Sequence, residues 1–149
     1  MSLAKKVART IERLRDRFSP EFAPASVTVA WNQDGGLNEK LIICAADQAG
    51  PGNAFHLYNI FLDQSEAEPL ELVCVIPFQK GALLEAGLNG VSNEALLAIV
   101  QHRLNCFQTS QFASNTNAEA INFIQKAINS LGRRTKERLD RGVEGTHRV

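Results

Sequence analysis

An arginine-rich run closes this chain: Arg133-Arg134-Thr135-Lys136-Glu137-Arg138-Leu139-Asp140-Arg141. Arg134 and Arg138 are four apart, so on a helix they project from one face. Their planar, forked guanidiniums suit bidentate bonding to phosphate. From Gly87 to Val149 no nucleophile–base pair and no metal cluster stands out. Guanidinium, amide and aromatic ring hold an anionic nucleotide; they do not react with it. The same cations are also ordinary partners of a helix C-terminus, worth ~0.3–1 kcal/mol each, and Glu137, Asp140 and Glu144 can neutralise several of them. On spacing alone that second role is the simpler one.

Other candidates are weaker. His102 and Cys106 stand four apart, but two donors without a third or fourth make a poor metal site. His56 and His147 look isolated. Gly50-Pro51-Gly52 lacks the lysine and the spacing of a phosphate loop and reads as a turn between strands. Near the N-terminus Lys5, Lys6, Arg9, Arg13, Arg15 and Arg17 interleave with Glu12 and Asp16, the pattern of a solvated helix face.

The elements that must position these groups follow from periodicity. Leu3, Val7, Ile11, Leu14 and Phe18 recur at three and four, predicting an amphipathic helix over 1–19 that Ser19-Pro20 stops. Four strand-like runs follow within 26–77: Val27–Trp31, Leu41–Ala45, His56–Leu62 and Leu70–Ile76. Their short connections favour an antiparallel meander. Phe78 to Gly90 reads as a loop with a turn at Asn89-Gly90. Over 87–149 a helical hairpin is expected, with helices from Ser92 to Phe107 and from about Asn117 to Arg141 around a polar tip, Gln108 to Thr116. The fold class is α+β, with an N-terminal helix, a four-stranded sheet and a helical hairpin in one compact domain.

Composition bounds the function. The chain has 149 residues and a net charge of zero. Its pI of about 6.8 is not that of a dedicated nucleic-acid binder. Cys44, Cys74 and Cys106 lie in apolar runs, so three buried thiols and a reducing compartment are expected. There is no signal-peptide pattern and no run of ~20 apolar residues, which points to the cytosol.

From about Ile76 onward the chain resembles a known phage family. The residues that carry the likeness are Ile76-Pro77-Phe78-Gln79-Lys80-Gly81, the lead-in Gly87-Leu88-Asn89-Gly90-Val91-Ser92-Asn93-Glu94, and the tail Arg141-Gly142-Val143-Glu144-Gly145-Thr146 after Arg134-Thr135 and Arg138. Together they resemble the hairpin domain shared by the first-described Thoeris anti-defence proteins and the anti-CBASS cyclic-oligonucleotide sponges. The resemblance covers roughly half the chain. A sheet ahead of the hairpin is more like the Thoeris branch. The resemblance implies a non-enzymatic sponge, without cofactor or metal. Such proteins sequester a nucleotide alarm signal in the host cytoplasm, and in this branch the signal is glycocyclic ADP-ribose. It carries the family's pocket residues to Phe107, Asn117, Arg134 and Arg138. At the tip this chain departs from its relatives: Asn115-Thr116 replaces a frequent Arg-Glu, and His102 replaces a frequent acidic residue.

Helix geometry adds a constraint. Asn117 and Arg134 lie ~26 Å apart at about 1.5 Å per residue, whereas a cyclic ADP-ribose spans on the order of 10 Å in a pocket of ordinary volume. If all four residues line one pocket, two chains supply them, as an antiparallel dimer with two equivalent pockets, alone or within a hexamer. A sponge for CBASS cyclic di- or trinucleotides, an enzyme that cleaves the same ligand, and a structural or DNA-associated phage protein are the alternatives. No membrane or nucleic-acid partner is expected.

Overall fold

The computed structural model describes residues 5, 9, 27–31, 33–50, 52–65 and 69–146. Lys5 and Arg9 apart, the helix expected over 1–19 lies outside them. The chain divides into two compact units, Met1–Pro77 and Phe78–Val149. Strands fill the described part of the first and helices fill the second, which makes the fold α+β.

The first unit is a four-stranded antiparallel sheet in sequential order, β1 (Val27–Thr28), β2 (Leu41–Ala45), β3 (Leu57–Leu62) and β4 (Glu71–Pro77). Strand β2 runs as expected. Strand β1 is shorter than the expected Val27–Trp31, with Val29 N–H still donating to Ile43 O at 2.9 Å. A 3₁₀ turn over Gly36–Lys40 leads into β2, entered through Gly35 and Gly36 at φ 78° and 61°. Glycine reaches that left-handed region without the Cβ penalty. Ile60 faces Cys74 and Phe61 faces Leu72, so Val73 is the extra residue of a β-bulge.

The sheet's core lies on one face. Ile42, Cys44, Phe61 and Leu70 are buried together, with Leu72 packed against them. Alternate residues of a strand share a face, which puts Thr28, Cys44, Asn59 and Val75 in one cross-strand row. Asn59 is fully buried, and its amide finds no hydrogen-bond partner. Of the three thiols expected to be buried, only Cys44 is; Cys74 and Cys106 are exposed. Cys74 faces away from the core beside the bulge, and Cys106 lies off the packing line of its helix. His56 is not isolated either. Asp47 caps the loop before β3 by accepting from the N–H groups of His56 and Leu57 at 3.1 and 3.2 Å, and its carboxylate lies 3.8 Å from the His56 ring nitrogen.

The second unit contains α1 (Leu83–Ala86), α2 (Asn93–Gln108) and α3 (Asn115–Asp140). The segment read as a loop from Phe78 to Gly90 thus holds one helical turn. Ser92 starts α2 by accepting from Ala95 N–H, and Ser114 starts α3 by accepting from Asn117 N–H, both at 3.1 Å. Such caps are worth ~1 kcal/mol. The cap at Ser114 draws Asn115 and Thr116 into α3, two residues before the expected start, despite their modest helix propensity. The two long helices pack side by side, and Gln101 donates to Gln125 across the seam at 2.8 Å.

Candidate functional site

Spacing along α3 sorts the expected site residues. Asn117, Ile121, Ile124, Ile128, Leu131, Thr135 and Arg138 recur at four and three and are all half-buried. This is the packing stripe of the helix. Asn117 begins it and Arg138 ends it, while Arg134 stands outside it, exposed. On α2 the half-buried line runs Glu94, Leu97, Gln101, Leu104 and Gln108, which leaves His102 and Cys106 outward.

At the tip, Phe107 lies one residue before the end of α2 and Asn117 in the first turn of α3. The Arg103 guanidinium sits over the Phe107 ring, 5.1 Å from its centroid. That cation–π contact covers one face of the half-buried ring. Asn117 makes only a long 3.5 Å bond from its side-chain amide to Phe112 O. Phe112 is itself exposed.

At the far end the two arginines differ in a way their spacing does not reveal. Among the described residues Arg134 makes no hydrogen bond or ion pair. Arg138 turns into the C-terminal tail. Its Nε donates to Glu144 Oε2 at 2.9 Å, and its Nη2 donates to Val143 O at 3.1 Å and Thr146 O at 2.9 Å. The tail is tied further by Leu84 N–H, which donates to Gly145 O at 3.0 Å. A Cβ at Gly145 would stand 2.9 Å from Leu84 Cγ. Gly145 also sits at φ 74°, a left-handed conformation that glycine adopts without the Cβ penalty.

The lead-in to α2 is equally specific. Gln79 and Asn89 tie the segment together: Gln79 Nε2 donates to Gly87 O and its Oε1 accepts from Asn89 N–H, while the Asn89 side chain brackets the backbone of Lys80 with two 2.8 Å bonds. A Cβ at Gly90 would stand 2.3 Å from the carbonyl carbon of Phe78. Asn89-Gly90 is thus more than a turn; it is the close backbone crossing that seats the start of α2.

Within one chain Phe107 and Asn117 lie at the tip end of the two long helices, and Arg134 and Arg138 lie in the last turns of α3. Helix α3 is unbroken from Asn115 to Asp140, so Asn117 and Arg134 stand ~26 Å apart along it. His102 and Cys106 do meet, with Sγ 3.9–4.0 Å from the ring nitrogens, yet the described residues hold no group of three or more potential metal ligands. No described helix is long and apolar enough to cross a membrane. Periodicity had no signal for Arg103 over Phe107, for the Gln79–Asn89 bond or for the Arg138–Glu144 pair. Only Arg103's place four residues before Phe107 hinted at the first.

No family model matches the chain. It is 48% identical over 75 residues to Thoeris anti-defense 1 of Bacillus phage SBSphiJ7, a stretch covering 50% of this chain and 53% of that protein. The chain spans about half the length of the curated relative it matches. Over that stretch the chain is similar to a Thoeris anti-defence protein of a phage.

Proposed function

We propose that this chain is a phage anti-defence sponge that binds a cyclic nucleotide alarm signal in the host cytoplasm and holds it intact. The name of its relative, Thoeris anti-defense 1, supports the anti-defence role. The preferred ligand is glycocyclic ADP-ribose. Phe107 stacks on the adenine, worth ~1–3 kcal/mol. Asn117 donates and accepts at a ribose or base edge. Arg134 and Arg138 meet the diphosphate.

The observation that carries this function is the division of binding equipment between the two ends of one unbroken helix. Stacking ring and amide sit at the tip and guanidiniums at the base, so a ligand that needs both takes them from two chains. Neither long helix has a buried residue. Ile99, Val100, Phe123 and Leu139 are 65%, 47%, 60% and 60% exposed. Two helices with that much apolar surface in water call for further cover, and an antiparallel second copy supplies it while bringing tip to base.

The test is capture. The protein is incubated with an activated Thoeris extract, washed, denatured, and the released nucleotide weighed. An intact cyclic ADP-ribose isomer is expected. A cyclic di- or trinucleotide from a CBASS extract would move the ligand class, a cleaved product would make the protein an enzyme, and no nucleotide at all would remove the function.

A further inference from the structure

The C-terminal turn keeps an anion of its own where a phosphate would dock. A forked anion takes two neighbouring N–H donors of a guanidinium. On Arg138 the side edge is filled from within: Nε by the Glu144 carboxylate at 2.9 Å, and Nη2 by the carbonyls of Val143 and Thr146. The two side chains are 24% and 34% exposed. The pair is therefore partly shielded yet open to an anion from solvent.

Resting on the nucleotide-binding function proposed above, we propose that Glu144 is a specificity-determining residue of the anion site, a resident carboxylate on Arg138 that only a multiply charged anion displaces. The turn does not depend on that carboxylate for its shape. Val143 N–H donates to Arg138 O, Leu84 N–H donates to Gly145 O, and the Thr146 hydroxyl donates to Val143 O at 2.7 Å. Glu144 can leave the guanidinium while these bonds hold. A singly charged anion exchanges one carboxylate-strength contact for another and gains little. A diphosphate brings two charges and a wider fork, and the exposed Arg134 one helical turn away can take the second phosphate. Glu144 thereby keeps Arg138 oriented and closed to the common monoanions of a cell.

The test follows the Arg138 Nε–H by ¹⁵N NMR in wild type and Glu144→Gln, titrated with inorganic pyrophosphate and with acetate at constant ionic strength. Exchange of the Leu84 amide reports on the turn. Glutamine keeps the shape and can still accept from Nε, but it carries no charge. The wild-type signal should respond to pyrophosphate and not to acetate. In Glu144→Gln it should respond to both, with a pyrophosphate midpoint about tenfold lower. Identical selectivity in the two proteins, with Leu84 slow to exchange in both, overturns the assignment. If the substitution loosens the turn, wild type alone decides: acetate taken up as readily as pyrophosphate overturns it, and pyrophosphate taken up alone upholds it. Pyrophosphate selectivity in a wild-type protein that ignores cyclic ADP-ribose would leave Glu144 its role and remove the nucleotide.

Discussion

Arg134 and Arg138 look equivalent four residues apart, and their surroundings make them different. Arg134 stands in solvent outside the packing stripe, so Arg134→Ala should abolish tight nucleotide binding with stability changed by no more than about 0.5 kcal/mol. Calorimetric titration beside a melting curve checks both halves. Arg138→Ala leaves the carbonyls of Val143 and Thr146 and the Glu144 carboxylate without their donor. It should lose binding and also destabilise the tail by about 1–3 kcal/mol, seen as faster exchange of the Leu84 amide. The i, i+4 spacing was legible in the sequence. Which guanidinium folds back on the tail was not, because that depends on where a glycine-bearing turn returns. Cys44 offers a separate check. Burial pushes its thiol up, and a smaller hydrogen-bond contribution from Thr28 pulls it down. A folded-state value above the ordinary ~8.5 gives stability that is complete below that pH and declines as pH rises through the folded value. Cys44→Ala should flatten the alkaline decline in a pH series of melts. In native protein, alkylation should reach Cys74 and Cys106 quickly and Cys44 only on opening.

At the scale of elements, the strands and helices were readable wherever local chemistry decides them. Leu41–Ala45 is a strand within the expected bounds, and Ser92 caps the helix it was expected to start. Reading failed where a distant partner decides. Leu83–Ala86 forms a helical turn in a segment that reads as loop, and its Leu84 N–H is held by the far-off Gly145 O; the early start of α3 at Asn115 is instead a local effect of the Ser114 cap. Gly90 and Gly132 show the contrast in a single substitution. A Cβ at Gly90 meets the Phe78 carbonyl carbon at 2.3 Å, whereas one at Gly132 meets nothing within 4 Å on the exposed side of α3. Gly90→Ala should therefore lower stability by about 1–3 kcal/mol through forced backbone movement. Gly132→Ala should raise it by about 0.4–1 kcal/mol, as expected for a helix interior. Denaturant melts of the two variants decide this.

For the whole molecule, the sequence conveyed the α+β class and the distance between the two ends of α3. It could not convey what covers the hairpin, since one chain's pattern marks a face as apolar without naming its partner. Ile99 and Phe123, 65% and 60% exposed, should lie against a second copy. The chain should then sediment as a dimer or a larger even assembly, and Ile99→Glu together with Phe123→Glu should shift it toward monomer in analytical ultracentrifugation.

Complementation between two dead variants tests the two-chain pocket most directly. Phe107→Ala and Arg134→Ala are prepared separately, shown by calorimetry not to bind the cyclic nucleotide, then mixed one to one and allowed to exchange subunits. In a mixed antiparallel dimer one pocket receives both lesions, and the other receives an intact Phe107 from one chain and an intact Arg134 from the other. Random pairing should therefore restore ~25% of wild-type sites at wild-type affinity. A mixture that exchanges subunits yet binds no nucleotide would show that Phe107 and Arg134 do not share a pocket across chains.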